Sequence, residues 1–406
     1  MLLRKEGKGV KMKISFTLDE DRVIVTLVGK ATTSDFKAQK DELDSAVEKW
    51  SDKEWVINCK DLLYIPSSGL RWLLSIQKRV PKEIQIVDVR QPVMEILFIT
   101  GLNKLFSVRR GMRRISVNGC EQIGQGANGE VYRLKDETIV KVFFDSENLK
   151  NVETEDRIAH AVLGTGLPAV ITYNIVKVGQ DRYGIVYETL GAKTLSETIE
   201  EDPSRFDEWM AEYVELYRQV HETDGRRTRL PLTKNVYRKH LCESADWYTK
   251  GEMEQLLRLL ESIPDRNTLI HGDYHPNNIM VNDGELIMID LGDFSIGHPV
   301  FDFLATAATQ ANLVELSPKY AEIHTKMKAE RIRKGWSTLL DLYFSDRTPQ
   351  QRGEIDAQVR LLSKLKVACA PAVAKGISDQ LMEASIKDVK ENLIPRINEL
   401  IGAIDW

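Results

Sequence analysis

The chain has 406 residues, 42% hydrophobic and 29% charged, with a formal net charge of -5. That length allows two or three domains with cores of their own, and the mildly acidic balance gives no electrostatic reason to expect nucleic acid as a partner. No apolar run approaches the roughly 20 residues a membrane helix needs, and Met1-Leu2-Leu3 is too short for a signal-peptide core. Neither a membrane nor secretion is therefore expected. Cys59, Cys120, Cys242 and Cys369 are scattered without C-x-x-C spacing, which argues against a zinc site or a disulfide framework and fits a reducing, cytoplasmic compartment.

Residues 1–11 read as an extension, disordered or mis-assigned, with Met12 as the expected start because it opens the first strand directly. Residues 12–110 alternate strands and helices. Lys13–Thr17 and Val23–Val28 are expected to form a hairpin around Asp19-Glu20-Asp21. Asp35–Trp50 is expected as one amphipathic helix with Ser34 as its N-cap. Trp55–Asn58 is a short buried strand. A second helix starts at Ser67 or Ser68 and turns Leu70, Leu73, Leu74 and Ile76 inward. Ile84–Val87 is another strand and Val93–Thr100 another helix. The pattern is a small α/β layer fold. Two architectures meet near 109–114, without a long linker.

Residues 115–190 change to strands around one helix. Ile115–Ile123, Val131–Leu134, Thr138–Phe143, Ile171–Val178 and Tyr183–Tyr187 are the expected strands, with Asp136-Glu137 in a turn and Glu153–Leu163 helical. From 191 to 406 the pattern is mostly helical.

Three motifs carry chemistry. Gly124-Gln125-Gly126-Ala127-Asn128-Gly129-Glu130-Val131 fits G-x-G-x-x-G-x-V. A dinucleotide-binding turn would need a helix immediately after it; here Val131-Tyr132-Arg133-Leu134 continues as a strand, which suits a hairpin folded over phosphates. Glycines permit close backbone approach there. In Ile139-Val140-Lys141-Val142-Phe143, a lysine embedded in an apolar strand needs a ligand or a partner. Its expected partner is Glu155, with Glu153 second. In His271-Gly272-Asp273-Tyr274-His275-Pro276-Asn277-Asn278, followed by Ile289-Asp290-Leu291-Gly292, an Asp precedes an Asn by five positions and a second Asp follows an apolar strand. Phosphoryl transfer needs such a set: Asp273 to accept a hydroxyl proton, and Asn278 and Asp290 as hard oxygen donors to Mg²⁺. His271 is expected to hold the loop. His275 reads equally as a residue near substrate or a structural one. Asp302 is expected to brace the loop, and Asp293 to lie at the surface.

These residues resemble the aminoglycoside phosphotransferase and choline kinase-like family, over roughly residues 119–310. The resemblance implies a bilobal α+β protein-kinase-like fold with an N-lobe at 115–190 and a largely helical C-lobe at 191–406. It implies ATP and Mg²⁺ as cofactors, Asp273 as base, Asn278 and Asp290 as metal ligands, and Lys141 on the phosphates. Gly124, Gly126, Gly129 and Val131 would cover the nucleotide, and Glu188 and Thr189, in Tyr187-Glu188-Thr189, match the hinge that reads adenine. Pro299 follows Asp290 by nine residues, leaving no room for the long activation segment of protein kinases. That favours a small-molecule hydroxyl acceptor. The run from Arg226 to Lys239 holds six basic and no acidic residues, which disfavours a polycationic acceptor or else is an exposed basic face.

Residues 12–108, with Lys60-Asp61-Leu62-Leu63-Tyr64-Ile65-Pro66-Ser67-Ser68-Gly69-Leu70 joining a strand to a helix, resemble the STAS domain of anti-sigma-factor antagonists. The resemblance implies a mixed sheet with helices, a protein partner, and Ser67 as a phosphosite, although Pro66 stands where that family has Asp. A serine at a helix start is also a cap, and both readings stand. The expected whole is an Mg²⁺/ATP-dependent phosphotransferase with a STAS regulatory or docking module. The alternatives are a kinase acting on Ser67 in cis or in trans, and a non-catalytic nucleotide-binding scaffold.

Overall fold

The computed structural model describes residues 12–126, 128–134, 138–144, 149–191, 193–374 and 377–404. The expected extension at 1–11, Ala127 and the Asp136-Glu137 turn lie outside them. The chain divides between Arg114 and Ile115 into two compact units.

In the first unit, β1 (Lys13–Asp19) and β2 (Arg22–Lys30) form the hairpin, followed by α1 (Thr33–Ala38), α2 (Lys40–Lys49), β3 (Glu54–Tyr64), α3 (Ser67–Gln77), β4 (Gln85–Val89), α4 (Gln91–Ile99) and β5 (Ser107–Arg110). The sheet order is β1-β2-β3-β4-β5. Only the β1–β2 pair is antiparallel; each later pair is parallel and is joined through helices. Val23, Val25 and Leu27 of β2 alternate with partly covered residues and pack with Trp55, Ile57 and Phe106 into this unit's core.

Two helix starts differ from expectation. The single helix over 35–50 is two, broken at Gln39, and its cap is Thr32 rather than Ser34. Thr32 Oγ1 accepts from Asp35 N at 3.2 Å while the Asp35 carboxylate accepts from Thr32 N at 2.8 Å. That reciprocal pair needs an acid three residues on, and three residues after Ser34 stands Lys37. Ser67 is not a cap either. Pro66 holds the N-cap position, and Ser67 is the first residue of α3, exposed, with no side-chain cap bond at this end.

A six-stranded sheet follows, built from β6 (Arg113–Ile115), β7 (Gln122–Gln125), β8 (Gly129–Arg133), β9 (Thr138–Phe143), β10 (Thr172–Val178) and β11 (Arg182–Glu188), with α5 (Leu149–Leu163) between β9 and β10. Its order is β6-β10-β11-β9-β8-β7. The strand expected over 115–123 is therefore two strands. A turn at Val117–Cys120, with Cys120 N on Val117 O at 3.0 Å and Gly119 at φ +77°, sends the halves to opposite edges of the sheet. Glu153 and Glu155 do not open α5; they lie in its second turn.

Next come β12 (Lys193–Thr194), α6 (Leu195–Glu201), α7 (Phe206–Glu222), α8 (Thr233–Glu243) and α9 (Lys250–Ser262). Two short ladders follow: β13 (Thr268–Ile270) with β16 (Ser295–Gly297), and β14 (Ile279–Asn282) with β15 (Glu285–Met288). The remainder is helical: α10 (Val300–Ala307), a wide-turn segment at Ala308–Leu313, α11 (Val314–Leu316), α12 (Pro318–Thr325), α13 (Ala329–Tyr343), α14 (Pro349–Leu362) and shorter helices to Leu400. Tyr213, Tyr217, Tyr274, Phe303 and Trp336 centre the core. Among the described residues no helix is long and apolar enough to cross a membrane.

The start of α3 packs so closely that Gly69 has no room for a side chain. A Cβ there would lie 2.6 Å from Phe36 Cε2 and 2.7 Å from Ile65 Cγ1. Gly69→Ala is expected to destabilise the first unit by about 1–3 kcal/mol through overpacking. Gly126→Ala, whose Cβ would meet nothing within 4 Å, is expected to leave stability unchanged. Urea unfolding read by tryptophan fluorescence checks both.

Candidate active site

The Asp273 loop runs from β13 to β14, and Asp290 sits between β15 and β16, so two adjacent ladders present all three acid and amide groups from one region. The loop is held by a carboxylate. Asp302, fully buried in the first turn of α10, accepts from His271 N at 2.8 Å and from Gly272 N at 2.6 Å. His221 Nε2 lies 3.0 Å from the same carboxylate and its Nδ1 lies 2.9 Å from Tyr343 Oη. Gly272 is required at its position: φ is +85°, and a Cβ would fall 2.7 Å from Asp293 O. His271 is buried against Tyr274 and Phe294, and its Nδ1 accepts from Asp273 N at 3.3 Å.

Asp273 is thereby aimed at Asn278, whose Nδ2 donates to Asp273 O at 3.0 Å and Oδ2 at 3.1 Å. Burial works to raise the Asp273 pKa, but His275, His324 and Lys366 outweigh it and hold the carboxyl well below the usual range. The group is a carboxylate at neutral pH. His275 Nε2 stands 3.5 Å from Asp273 Oδ2. Asp293 lies exposed beside Gly272.

Lys141 on β9 joins the sheet to this region. Its Nζ is 2.8 Å from Glu155 Oε1 on α5 and 2.8 Å from Asp290 Oδ1. Burial disfavours the ammonium, yet Asp290 and then Glu155 overcome it and keep Lys141 above its ordinary pKa. Burial raises Glu155 above the usual carboxylate range against the pull of Lys141. Tyr187 Oη adds a hydrogen bond to Glu155 at 3.3 Å. Glu153 is exposed and takes no part. Asp290 adopts φ +55°, ψ +59°, a left-handed conformation for a non-glycine residue of the kind that clusters at functional sites, and its carboxylate is half-exposed.

The glycine hairpin forms as strand, turn and strand. Gly124 pairs with Val131, and Gly126 N donates to Gly129 O at 2.9 Å. A Cβ on Gly129 would meet Val142 O at 2.4 Å, so this glycine is fixed by sheet packing. Glu188 ends β11; its Oε1 accepts from Ile171 N at 2.8 Å, and the buried Thr189 Oγ1 has no hydrogen-bond partner among the described residues. In the basic run at 226–239, Arg226, Lys234, Arg238 and Lys239 pair with Asp224, Asp265, Glu261 and Glu243. Sequence reasoning did not find His221, Tyr343, His324 or Lys366. Each stands on a helix remote in sequence, and no motif marks it.

The sequence model of the phosphotransferase enzyme family matches residues 119–327, just over half of the chain. The chain belongs to that family. Residues 14–109 match the Mlab, STAS domain model, and the chain is thus a STAS domain followed by a kinase-like fold of the phosphotransferase family. No curated protein matches the chain. Among solved structures, it is similar to the amicoumacin kinase hAmiN in complex with AMP-PNP, Ca²⁺ and Ami, at 14% identity and TM-score 0.47, over 76% of this chain and 96% of that one. It is similar to the aminoglycoside phosphotransferase APH(2")-IIa in its gentamicin complex, at 15% identity and TM-score 0.46, over 74% and 97%. A choline/ethanolamine kinase family protein from Mesorhizobium loti aligns at 15% identity and TM-score 0.41, over 70% and 89%.

The Asp302 brace generates a stability test. Asp302→Ala strands two backbone N–H groups and His221 without their acceptor. Each buried donor left unpaired costs about 1–3 kcal/mol. A loss of several kcal/mol is expected in denaturant unfolding of the second unit, with Asp302→Asn, which keeps one acceptor oxygen, falling between that variant and the wild type.

Proposed function

We propose that this protein transfers a phosphoryl group from Mg²⁺-ATP to a hydroxyl of a small molecule, and that residues 12–110 form a regulatory or docking module. The observation that carries the reading is Lys141, which bridges Glu155 and Asp290 at 2.8 Å each across 149 residues of sequence, beside the hydrogen-bonded Asp273 and Asn278.

The donor set fits the ligands proposed. Asn278 and Asp290 offer the hard oxygens that Mg²⁺ takes, and the glycine hairpin offers backbone N–H groups. When bound, Mg²⁺ supplies neutralisation of phosphate charge. Lys141, kept cationic by its two carboxylates, is placed to hold phosphate oxygens while Glu155 retains its other side. Asp273 would receive the acceptor hydroxyl as a hydrogen-bond donor and take its proton as the new P–O bond forms and the bond from the γ-phosphorus to the departing ADP breaks. Asn278 fixes the Asp273 carboxylate through Oδ2, leaving Oδ1 for the acceptor. Glu188 and Thr189 stand at the hinge position for adenine. The nine residues from Asp290 to Pro299 hold only one helical turn and the three-residue β16, which supports a small acceptor over a polypeptide bound along an activation segment.

Asp273→Ala is expected to lower turnover about 10²–10⁴-fold with nucleotide affinity retained, whereas Asp290→Ala is expected to weaken Mg²⁺-nucleotide binding as well. An ATP-consumption screen of the full chain over amino alcohols, sugars, aminoglycosides and peptides, paired with nucleotide-binding calorimetry, checks both. Turnover retained by Asp273→Ala would overturn its role, and nucleotide binding without turnover on any acceptor would favour the scaffold reading. One observation favours a second acceptor: Ser67 is exposed in the first turn of α3 and has no capping duty. Intact mass after incubation with Mg²⁺ and ATP decides it, because an added phosphate that disappears in Ser67→Ala is the expected sign.

A further inference from the structure

The proposed base also belongs to a second donor set, whose two imidazoles phosphoryl transfer does not use. Asp273, His275 and His324 each offer a ligand atom, and these atoms all lie within 4.8 Å of one another. Asp273 and His275 come from the loop after β13. His324 comes from the last turn of α12, fifty residues away. The His275 and His324 rings are 5.2 Å apart, and Tyr320, one turn earlier on α12, stacks parallel to His324 at 6.5 Å with an interplanar angle of 8°.

Two imidazoles and one carboxylate are the ligands of borderline transition metals rather than of Mg²⁺, which prefers oxygen alone. With zinc bonds of about 2.0–2.1 Å, two ligand atoms on a tetrahedron stand about 3.4 Å apart. His275 Nε2 and Asp273 Oδ2 are 3.5 Å apart, so one edge of such a site is formed already. The third ligand is on an exposed side chain, and its ligand atom lies within 4.8 Å of the other two. His275 supplies an independent sign. It is 3% exposed, and its Nδ1 is buried without a hydrogen-bond partner among the described residues. Its Nε2 faces the Asp273 carboxylate at 3.5 Å, a separation longer than an ordinary hydrogen bond and matching two ligands of one cation.

We propose that Asp273, His275 and His324 form a binding site for a zinc-like divalent transition metal, and that its occupancy blocks phosphoryl transfer. Binding itself depends on no assumption about catalysis. The block rests on the reading of Asp273 as base, because a carboxylate bound to metal cannot accept the hydroxyl proton.

The test uses the full chain, stripped of metal, in excess Mg²⁺ to fill oxygen-only sites. Zn²⁺ is titrated by calorimetry and Co²⁺ by its visible absorption, with His324→Ala and Tyr320→Ala compared with wild type. Losing an outer-shell partner costs metal sites about 10–100-fold in affinity, so removing the ligand His324 is expected to cost at least that and to abolish the tetrahedral Co²⁺ spectrum. Zn²⁺ is expected to inhibit wild-type turnover and to inhibit His324→Ala only at correspondingly higher concentration, with unchanged melting temperature because His324 is exposed. Absence of Zn²⁺ binding, or binding equally tight in His324→Ala, would overturn the site. Binding lost in His324→Ala while no acceptor is ever phosphorylated would uphold the site and sink the catalytic reading instead. Zn²⁺ bound through His324 without inhibition of turnover would refute the block.

Discussion

A lysine ammonium inside a protein must be compensated, and much of the second unit is arranged around doing so for Lys141. The strand pattern that buries Val140 and Val142 fully leaves Lys141 on the opposite face of β9, turned towards α5 and the Asp290 loop. Two carboxylates at 2.8 Å, one from each, outweigh the desolvation cost and keep the charge. The consequence is mechanical as much as electrostatic. Three segments that are far apart in sequence are pinned at one point, and removing Lys141 leaves two neighbouring carboxylates without their cation. The packing is tight enough that a Cβ on Gly292, two residues after Asp290, would fall 3.3 Å from the Glu155 carboxyl.

The second constraint is the loop that carries Asp273. A left-handed Gly272 forces the turn, and the Asp302 carboxylate takes up the two N–H groups that the turn exposes. His221 and Tyr343 extend this brace into α7 and α13. Tyr213 Oη and Thr306 Oγ1 also donate to Tyr274 O, at 3.2 and 3.1 Å, so the residue after Asp273 is fixed from α7 and α10 as well. The loop's geometry is thus set by helices remote from it in sequence.

These two networks explain what could be read in advance and what could not. The contacts of Lys141 with Glu155 and of Asp273 with Asn278 are legible because a strand-embedded lysine needs a partner and because the second pair stands at short, fixed spacing. Asp302 is legible as a brace because a buried acid near such a loop needs N–H partners. His221, Tyr343 and His324 carry no such mark: within α7, α12 and α13 they fall into ordinary amphipathic patterns, and only the tertiary path brings them to the loop. The errors in the fold are of the same kind. Ser34 and Ser67 both looked like caps by residue type, but a cap is decided by backbone conformation and by the residue three places on. Thr32 has Asp35 there, and Pro66 already occupies the N-cap position before Ser67. The strand expected at 115–123 failed because Asn118-Gly119 was passed over as a turn signal, and a turn there sends its halves to opposite edges.

The electrostatics of Asp273 bear on how a carboxylate can act as a base here. His275, His324 and Lys366 hold it below the usual carboxylate range, while an alcohol's own pKa lies far above. Such a group cannot carry off the hydroxyl proton before bond formation, because the transfer would be steeply uphill. It can orient the hydroxyl as a strong acceptor and take the proton once the oxygen has begun to bond phosphorus and become acidic. That order asks more of position than of basicity, and position is what the structure supplies. The Asn278 amide at 3.1 Å, the brace on His271 and Gly272, and the imidazole at 3.5 Å all restrain one carboxylate. The same restraint that serves orientation also gathers two imidazoles beside the carboxylate, so the proposed base and the proposed metal site share a single arrangement of side chains.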